Sequence, residues 1–214
     1  MIGISQKIRR FRPLNFGRPK LPFSIAANVR IAQVTPTAFP FDSVEIFHPD
    51  CWHKLETYRP GIVIGTAADL QLLVQVARWN PNNRLEKRGL DLSSVDRAIF
   101  VLTEVGGDPL TDVLRVVLWQ TFGVPVYEVL TGTGGRVLAA ECEAYEGWHI
   151  DNSAEFSVFG DELVFRAPGQ NPVPTGLTGF IETQPCACGR RGSRLMSLET
   201  FELQEAPRQL AATA

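Results

Sequence analysis

The sequence lacks the long apolar run that a membrane span requires. None of its 214 residues belongs to a stretch approaching the roughly 20 consecutive apolar residues of a transmembrane helix. The N-terminus carries basic residues, but the apolar segment of a secretory signal does not follow them. We therefore expect no membrane partner and place the protein in the cytoplasm.

Cysteine is scarce, and its spacing does not suit a disulfide framework. The chain has four cysteines, at Cys51, Cys142, Cys186 and Cys188. The last two lie too close together in sequence to bridge each other easily. This arrangement is more typical of a metal-binding set with one additional thiol.

Acidic residues are missing from the beginning of the chain. The net charge is only −2, yet all 23 acidic residues lie at or after Asp42. The segment before it carries basic residues at Lys7, Arg9, Arg10, Arg12, Arg18, Lys20 and Arg30. Such a segment can bind nucleic acid or an anionic surface, pack on the acidic remainder, or be a solvated tail. No nucleic-acid-binding motif accompanies it, so we do not expect nucleic acid as a partner, and we interpret residues 1–26 as a basic, proline-containing arm.

Residues 27–135 show apolar strands alternating with helical patterns. Ile62–Ile64 has the pattern of a buried strand, and Thr66 then caps a helix whose Leu70, Leu73 and Val74 share one face. The next strand is predicted at Arg97–Leu102. This alternation predicts an α/β fold with a largely parallel sheet and flanking helices.

The segment GGDP at residues 106–109 follows that strand and predicts a second helix. Asp108 is the expected N-cap and Pro109 the first helical residue. The residues expected to face inward are Leu110, Leu114 and Val117.

Residues 136–196 have the pattern of a β-rich extension. Glu155–Phe159 and Glu162–Phe165 alternate about Gly160-Asp161, which predicts an antiparallel hairpin. A further short strand is predicted at Gly179–Thr183. Arg190, Arg191 and Arg194 cluster beside a tight turn; they suit a phosphate but are more typical of a solvated basic turn. Residues 197–214 form a tail in which we expect a short helix from Ser197.

Three cysteines and a histidine of this extension form a possible metal-ligand set. Cys142 and His149 have the spacing C-x6-H, and the pair Cys186 and Cys188 follows in CACGRRG. Three thiolates and one imidazole suit the closed tetrahedral site of a structural Zn²⁺. The spacing is not that of a standard zinc finger, so it is equally compatible with buried thiols and a core histidine. Cys51 lies outside the set.

Several segments resemble one enzyme family in order and spacing. They are YRPGIVIGTAADLQLL, LDLSS, GGDPLTDVLRVVLWQ and FGVPVYEVLTGTGG. They are similar to segments of adenylate-forming (AMP-binding) enzymes, in particular of the phenylacetate–CoA ligase branch. The resemblance covers roughly residues 55–195 and implies the central part of such an enzyme.

The resemblance implies a nucleotide site and a zinc site. Gly106 and Gly107 match the turn that lies against the adenine ring, and Thr133 matches the loop threonine that touches a phosphate. ECEAYEGWHI and CACGRRG resemble segments that close a zinc site in some phenylacetate–CoA ligase relatives. This favours structural zinc on Cys142, His149, Cys186 and Cys188.

Three positions depart from the family pattern. The family's loop glutamate falls on Gly134, its loop tyrosine on Leu130, and its ribose-binding aspartate on Leu177. We also find neither the family's phosphate loop nor a segment for the lid domain with its catalytic lysine. These losses remove means of neutralising phosphate charge, so they argue against ATP and Mg²⁺ as cofactors, and no catalytic residue is assigned.

Two classes of function follow. The first is a truncated, non-catalytic binding or scaffold module, stapled by zinc and associating with itself or a protein partner. The second is an acid–CoA ligase component that acts on an aryl or acyl acid once a partner chain completes it. A small acyl or nucleotide ligand is compatible with both, and isolated glycine-rich turns do not decide between them.

Overall fold

The computed structural model describes residues 28–35, 44–78, 89–132, 135–152, 154–166 and 171–201. The predicted basic arm lies outside the described residues, as do Thr133, Gly134 and most of the tail. Among the described residues, no helix is both long and apolar enough to cross a membrane.

One mixed sheet runs through the described residues. Its eleven strands are β1 Ile31–Gln33, β2 Val44–Ile46, β3 Ile62–Thr66, β4 Ala98–Glu104, β5 Val126–Gly132, β6 Arg136–Glu141, β7 Trp148–Ile150, β8 Glu155–Phe159, β9 Glu162–Arg166, β10 Val173–Glu182 and β11 Arg194–Thr200. They lie in the order β2-β1-β3-β4-β5-β6-β7-β11-β10-β9-β8.

Parallel pairing is confined to one side of this sheet. Strands β1 to β5 pair in parallel, whereas every pairing from β5–β6 onward is antiparallel. The predicted α/β class is therefore confirmed, and the expectation of a largely parallel sheet holds only for β1 to β5.

Among the described residues, three α-helices cover one face of the parallel strands. They are α1 Leu55–Tyr58, which follows a 3₁₀ helix at Pro49–Lys54, α2 Ala67–Arg78, and α3 Asp112–Phe122. The connections β2–β3, β3–β4 and β4–β5 all advance across the sheet in one direction, so right-handed crossovers place their helices on the same side. Leu55, Leu73 and Leu118 bring the helices into one buried apolar cluster with the strands.

The predicted start of α2 is confirmed. Thr66 ends β3, and its Oγ1 accepts a hydrogen bond from the Asp69 backbone N–H at 3.2 Å. The predicted inward residues Leu70, Leu73 and Val74 are buried. Cap and apolar periodicity thus agree on one helix.

The predicted start of α3 is wrong. The helix begins at Asp112, and its N-cap is Thr111, whose Oγ1 accepts from the Leu114 backbone N–H at 3.3 Å. Asp108 is not the cap, because residues 108–111 lie outside the helix and the Leu110 N–H donates to Glu128 Oε1 at 2.7 Å. Leu110 is buried ahead of the helix rather than on it.

The antiparallel side confirms one prediction and corrects two. Strands β8 and β9 form the hairpin expected about Gly160-Asp161. The strand expected at Gly179–Thr183 is longer than predicted, since β10 extends from Val173 to Glu182. A register shift between Pro174 and Thr178 interrupts the alternation of inward and outward side chains in its first half. The helix expected from Ser197 is wrong over the described residues, since β11 continues to Thr200.

Candidate metal centre

Four potential metal ligands converge where β6, β7 and β11 meet. Cys142 follows β6, His149 lies in β7, and Cys186 and Cys188 flank the turn that precedes β11. Their ligand atoms all lie within 4.8 Å of one another. Cys142 Sγ is 3.6 Å from Cys186 Sγ, and Cys188 Sγ is 3.2 Å from His149 Nε2. The structure therefore brings together the four residues that the sequence put forward as metal ligands.

Two tight turns aim these side chains at one point. In the loop 142–147, the Tyr145 N–H donates to the Cys142 carbonyl at 3.0 Å. Gly147 in the same loop has φ 85°, and a Cβ there would overlap the Leu195 carbonyl oxygen, so this position accepts only glycine. In the second turn the Gly189 N–H donates to the Cys186 carbonyl at 2.9 Å, as the sequence predicts for a tight turn.

A buried arginine ties the two turns together. The Arg194 guanidinium donates to the Glu146 carbonyl at 2.5 Å and to the Gln184 carbonyl at 3.3 Å. The Glu146 carboxylate accepts from the Ala187 N–H at 3.0 Å, between the two cysteines of the second turn. Arg194 is buried, so its interpretation as part of a solvated basic turn is wrong. No local sequence signal identifies this role, because it depends on the position of Arg194 opposite His149 in the pairing of β7 with β11.

The surroundings of the cluster shift the pKa values of three of its four side chains. Burial lowers the pKa of His149, and the positive charges of Arg190 and Arg194 lower it further, so the imidazole is neutral and able to bind metal. Burial raises the pKa of the Cys188 thiol, but the hydrogen bonds from the Arg190 N–H and from the thiols of Cys186 and Cys142 together outweigh burial, and the pKa lies below its usual value. Burial raises the pKa of the Cys186 thiol to about 12, a cost that a cation would offset.

The donor set fits zinc. Two sulfurs on one tetrahedral Zn²⁺ lie about 3.8 Å apart, given Zn–S bonds of about 2.3 Å. The 3.6 Å between Cys142 and Cys186 matches that spacing. All four cysteines of the chain are free thiols, and Cys51 is not in the cluster. Four protein ligands would close the coordination sphere and leave no position for a reacting water.

The residues matched to a nucleotide site are only partly brought together. The Gly106 N–H donates to the Thr175 carbonyl at 2.9 Å, so the turn of Gly106 and Gly107 lies against the segment 175–177. Both glycines are exposed. Thr133, the third residue of this set, lies outside the described residues. Leu177 is only 1% exposed and packs in a buried apolar cluster with Leu130.

A buried carboxylate network at the β5–β6 seam was not foreseen from the sequence. Glu128 Oε1 accepts from Thr103 Oγ1 at 2.5 Å as well as from the Leu110 N–H. The Glu141 carboxylate accepts two bonds of 2.9 Å from the Arg115 guanidinium and one of 2.6 Å from the Glu128 N–H. The available signal was a single acidic residue in each of two largely apolar strands, VYEVLTG and RVLAAE.

No protein-family model matches the chain, and no curated protein is similar to it in sequence. Solved structures are similar in fold. A 2-hydroxyisobutyryl-CoA ligase in complex with 2-HIB-AMP and CoA has a TM-score of 0.55 at 14% identity, over 79% of this chain and 43% of that one. Coronafacic acid ligase from Pectobacterium brasiliense has a TM-score of 0.54 at 15% identity, over 85% and 40%.

The third similar structure is the anthranilate CoA ligase AuaEII in complex with anthranoyl-AMP, with a TM-score of 0.52 at 11% identity over 78% and 39% of the two chains. This chain has the fold of part of an adenylate-forming CoA ligase. The adenylate-forming fold was expected from the sequence and is confirmed. The chain spans about 40% of the length of the ligases that it matches.

Proposed function

We propose that this adenylate-forming-like chain is a non-catalytic binding or scaffold module, derived from the phenylacetate–CoA ligase branch and held together by structural zinc. The observation that carries the proposal is the burial of Leu177. By resemblance, this position holds the aspartate that binds the ribose. Here its side chain is part of the apolar interior.

The charge balance supports the same proposal. Carboxylates bind Mg²⁺, and preorganised hydrogen-bond donors stabilise the negative charge of phosphates. By resemblance the loop glutamate is replaced by Gly134 and the ribose aspartate by Leu177. Glu128 and Glu141, the buried carboxylates of the seam, already accept hydrogen bonds from Leu110 and Arg115. These hydrogen bonds tie both carboxylates to the interior of the protein.

Zinc is the metal that we assign to Cys142, His149, Cys186 and Cys188. When bound, it would cross-link β6, β7 and the turn before β11. Its role would be structural, because the four ligands complete a tetrahedral sphere. Four free thiols also suit a reducing compartment, which supports the cytoplasm as the location of the protein.

A second candidate is a ligase component completed by another chain. It is supported by the hydrogen bond between Gly106 and Thr175, which keeps the turn matched to the adenine site beside the segment matched to the ribose site. A small acyl or nucleotide ligand would then bind between them. In this candidate function, the partner chain contributes the phosphate loop and the lid.

ATP–pyrophosphate exchange by the purified chain tests the first proposal. We expect no exchange above background with a panel of aryl and acyl acids, and no rescue by Gly134→Glu, because one carboxylate does not restore the phosphate loop. A full-length adenylate-forming ligase assayed in parallel is the positive control. Robust exchange, or a nucleotide-specific rise in melting temperature with ATP and Mg²⁺, would overturn the proposal, because a ligand that binds the folded state stabilises it.

A further inference from the structure

An exposed apolar stripe runs along the outer side of α3. Val113, Val116 and Trp119 recur at every third residue and are 76%, 49% and 58% exposed. The neighbouring helix α2 adds the exposed Leu72 and Val76. Residues three apart on a helix lie on one face, so Val113, Val116 and Trp119 form one exposed apolar face of α3. Exposed patches of this kind mark interaction sites.

A cleft opens beside this stripe, between α3 and the loop 142–147. Its lining residues are Arg115, Val116, Trp119, Val126 and Tyr145, and its volume is about 200 Å³. Sites for drug-sized ligands measure about 300–1,000 Å³. The cleft is therefore too small for a nucleotide or coenzyme, and its size suits one aromatic side chain.

The walls and floor of the cleft suit an aromatic group rather than an anion. Tyr145, at φ 53°, stacks on Tyr127 with ring centroids 5.2 Å apart. The Arg115 guanidinium lies 5.7 Å from the Tyr145 ring centroid and donates to both Glu141 oxygens. Because Glu141 neutralises this charge, an incoming carboxylate would gain little. The flat guanidinium can still stack on an aromatic ring.

We propose that this surface is a dimer interface between two copies of the chain, with Trp119 of each copy seated in the cleft of the other. The surface carries an exposed indole at Trp119, which forms one wall of the cleft, and a cleft whose volume matches one aromatic side chain. A surface that holds both parts is self-complementary, as a two-fold interface requires. This dimer gives the proposed binding module a partner, which is a second copy of the same chain. It rests on the proposed binding function and is independent of whether the chain is catalytic.

Charge placement on the two helices supports an antiparallel pairing of the two α3 helices. Asp112 lies in the first turn of α3. Arg78 is exposed at the end of α2, and its guanidinium donates to the Val117 carbonyl at 3.3 Å. A two-fold axis near Val116 would bring Asp112 of one copy towards Arg78 of the other. It would also align the two helix dipoles antiparallel, which is the favourable arrangement.

Sedimentation velocity of the full chain over a range of concentrations tests the interface. We expect a monomer–dimer equilibrium in the wild type. Trp119→Glu should weaken it by about 30-fold or more, the loss expected of a central aromatic anchor. Val113→Glu alters a side chain that is 76% exposed and should also weaken it. The matched control is Phe159→Ser, a side chain 82% exposed on the edge strand β8, which should leave the equilibrium unchanged.

Each outcome supports or overturns an interface at α3. A wild-type chain that stays monomeric throughout overturns the proposal, as does a dimer that survives both Trp119→Glu and Val113→Glu. Dissociation by Phe159→Ser alone would place the interface at β8 instead. Circular dichroism identifies a variant that fails to fold, in which case the other charged variant decides. Pyrophosphate exchange is measured separately, so a failed interface and a failed non-catalytic assignment are distinguishable.

Discussion

The parallel and antiparallel sides of the sheet are held together by different means. Strands β3, β4 and β5 are covered by α2 and α3, and the buried apolar cluster between the layers includes Val63, Ile99 and Val126. The antiparallel strands have no helix among the described residues. Their buried cluster is built from strand residues such as Leu138, Leu163 and Leu195. The parallel side is held together mainly by apolar packing between helices and sheet. The antiparallel side has no such helical layer among the described residues, so other contacts must connect its strands.

These connections lie where the sheet is weakest. Strand β7 has three residues, and its pairing with β11 has two aligned positions, at His149 and Trp148. So short a strand contributes few ladder hydrogen bonds. The four-ligand cluster and the Arg194–Glu146 contact both span this place. On the antiparallel side, the Arg194–Glu146 contact and the cluster of four potential metal ligands therefore connect strands that no helix covers among the described residues.

Removing the metal should have the largest effect on this comparison. We expect about one zinc per chain in protein purified without chelator. Chelation or Cys186→Ser should reduce the free energy of unfolding by on the order of 5 kcal/mol or more, since structural zinc binding contributes about 10–16 kcal/mol in zinc-finger peptides. Hydrogen exchange should rise first in β7 and β11 and little in β3 and β4. Metal analysis, calorimetry and exchange mass spectrometry measure these effects.

Cys51→Ser is the matched control, because Cys51 is a free thiol outside the cluster. It should keep both the zinc content and the melting temperature of the wild type. A zinc content well below one per chain would contradict the assignment. So would an unchanged melting temperature in Cys186→Ser, because the antiparallel side would then be stable without the cross-link.

Breaking the ion pair at the seam between the two sides should have the next largest effect. Arg115→Ala leaves the Glu141 carboxylate buried without its charged partner, and losing one member of a buried pair costs about 3–5 kcal/mol. Arg115→Met combined with Glu141→Gln should recover part of that loss, because no charge is then left unpaired. Urea unfolding at low protein concentration measures both variants.

The control for the seam is the exposed pair Arg97 and Asp96, whose side chains are both 63% exposed. Arg97→Ala should change the free energy of unfolding by less than about 1 kcal/mol, because solvent screens such pairs. Equal losses in Arg97→Ala and Arg115→Ala would show that the seam contributes no more than a surface contact.

Much of the parallel side follows from local sequence signals. Apolar runs such as Ile62–Ile64 predict buried strands, and Thr66 predicts the start of α2 because its hydroxyl can satisfy a free N–H of the first turn. The four ligand types at Cys142, His149, Cys186 and Cys188 were also recognisable. Their spacing left the site undecided, and convergence within 4.8 Å needs the long-range β7–β11 pairing.

The features that were missed depend on distant partners. Arg194 has the sequence neighbours of a solvated arginine, and only the turn at Glu146 makes it a buried one. Glu128 and Glu141 meet because β5 and β6 pair in register, which no single segment reveals. The start of α3 was misplaced because Asp108 and Thr111 are both good caps, and the bond from Leu110 to Glu128 decides between them.

The smallest predicted effect concerns that choice of cap. Thr111→Ala removes the acceptor for the Leu114 N–H, and loss of an N-cap costs about 1 kcal/mol. Asp108→Ala should change stability by a few tenths of a kcal/mol at most, since Asp108 is exposed and precedes the helix. Thr111→Ser keeps the hydroxyl and should restore most of the loss. Urea unfolding measures the free energy of unfolding of the three variants. A larger loss of stability in Asp108→Ala than in Thr111→Ala would show that α3 begins in the GGDP segment, contrary to the N-cap at Thr111.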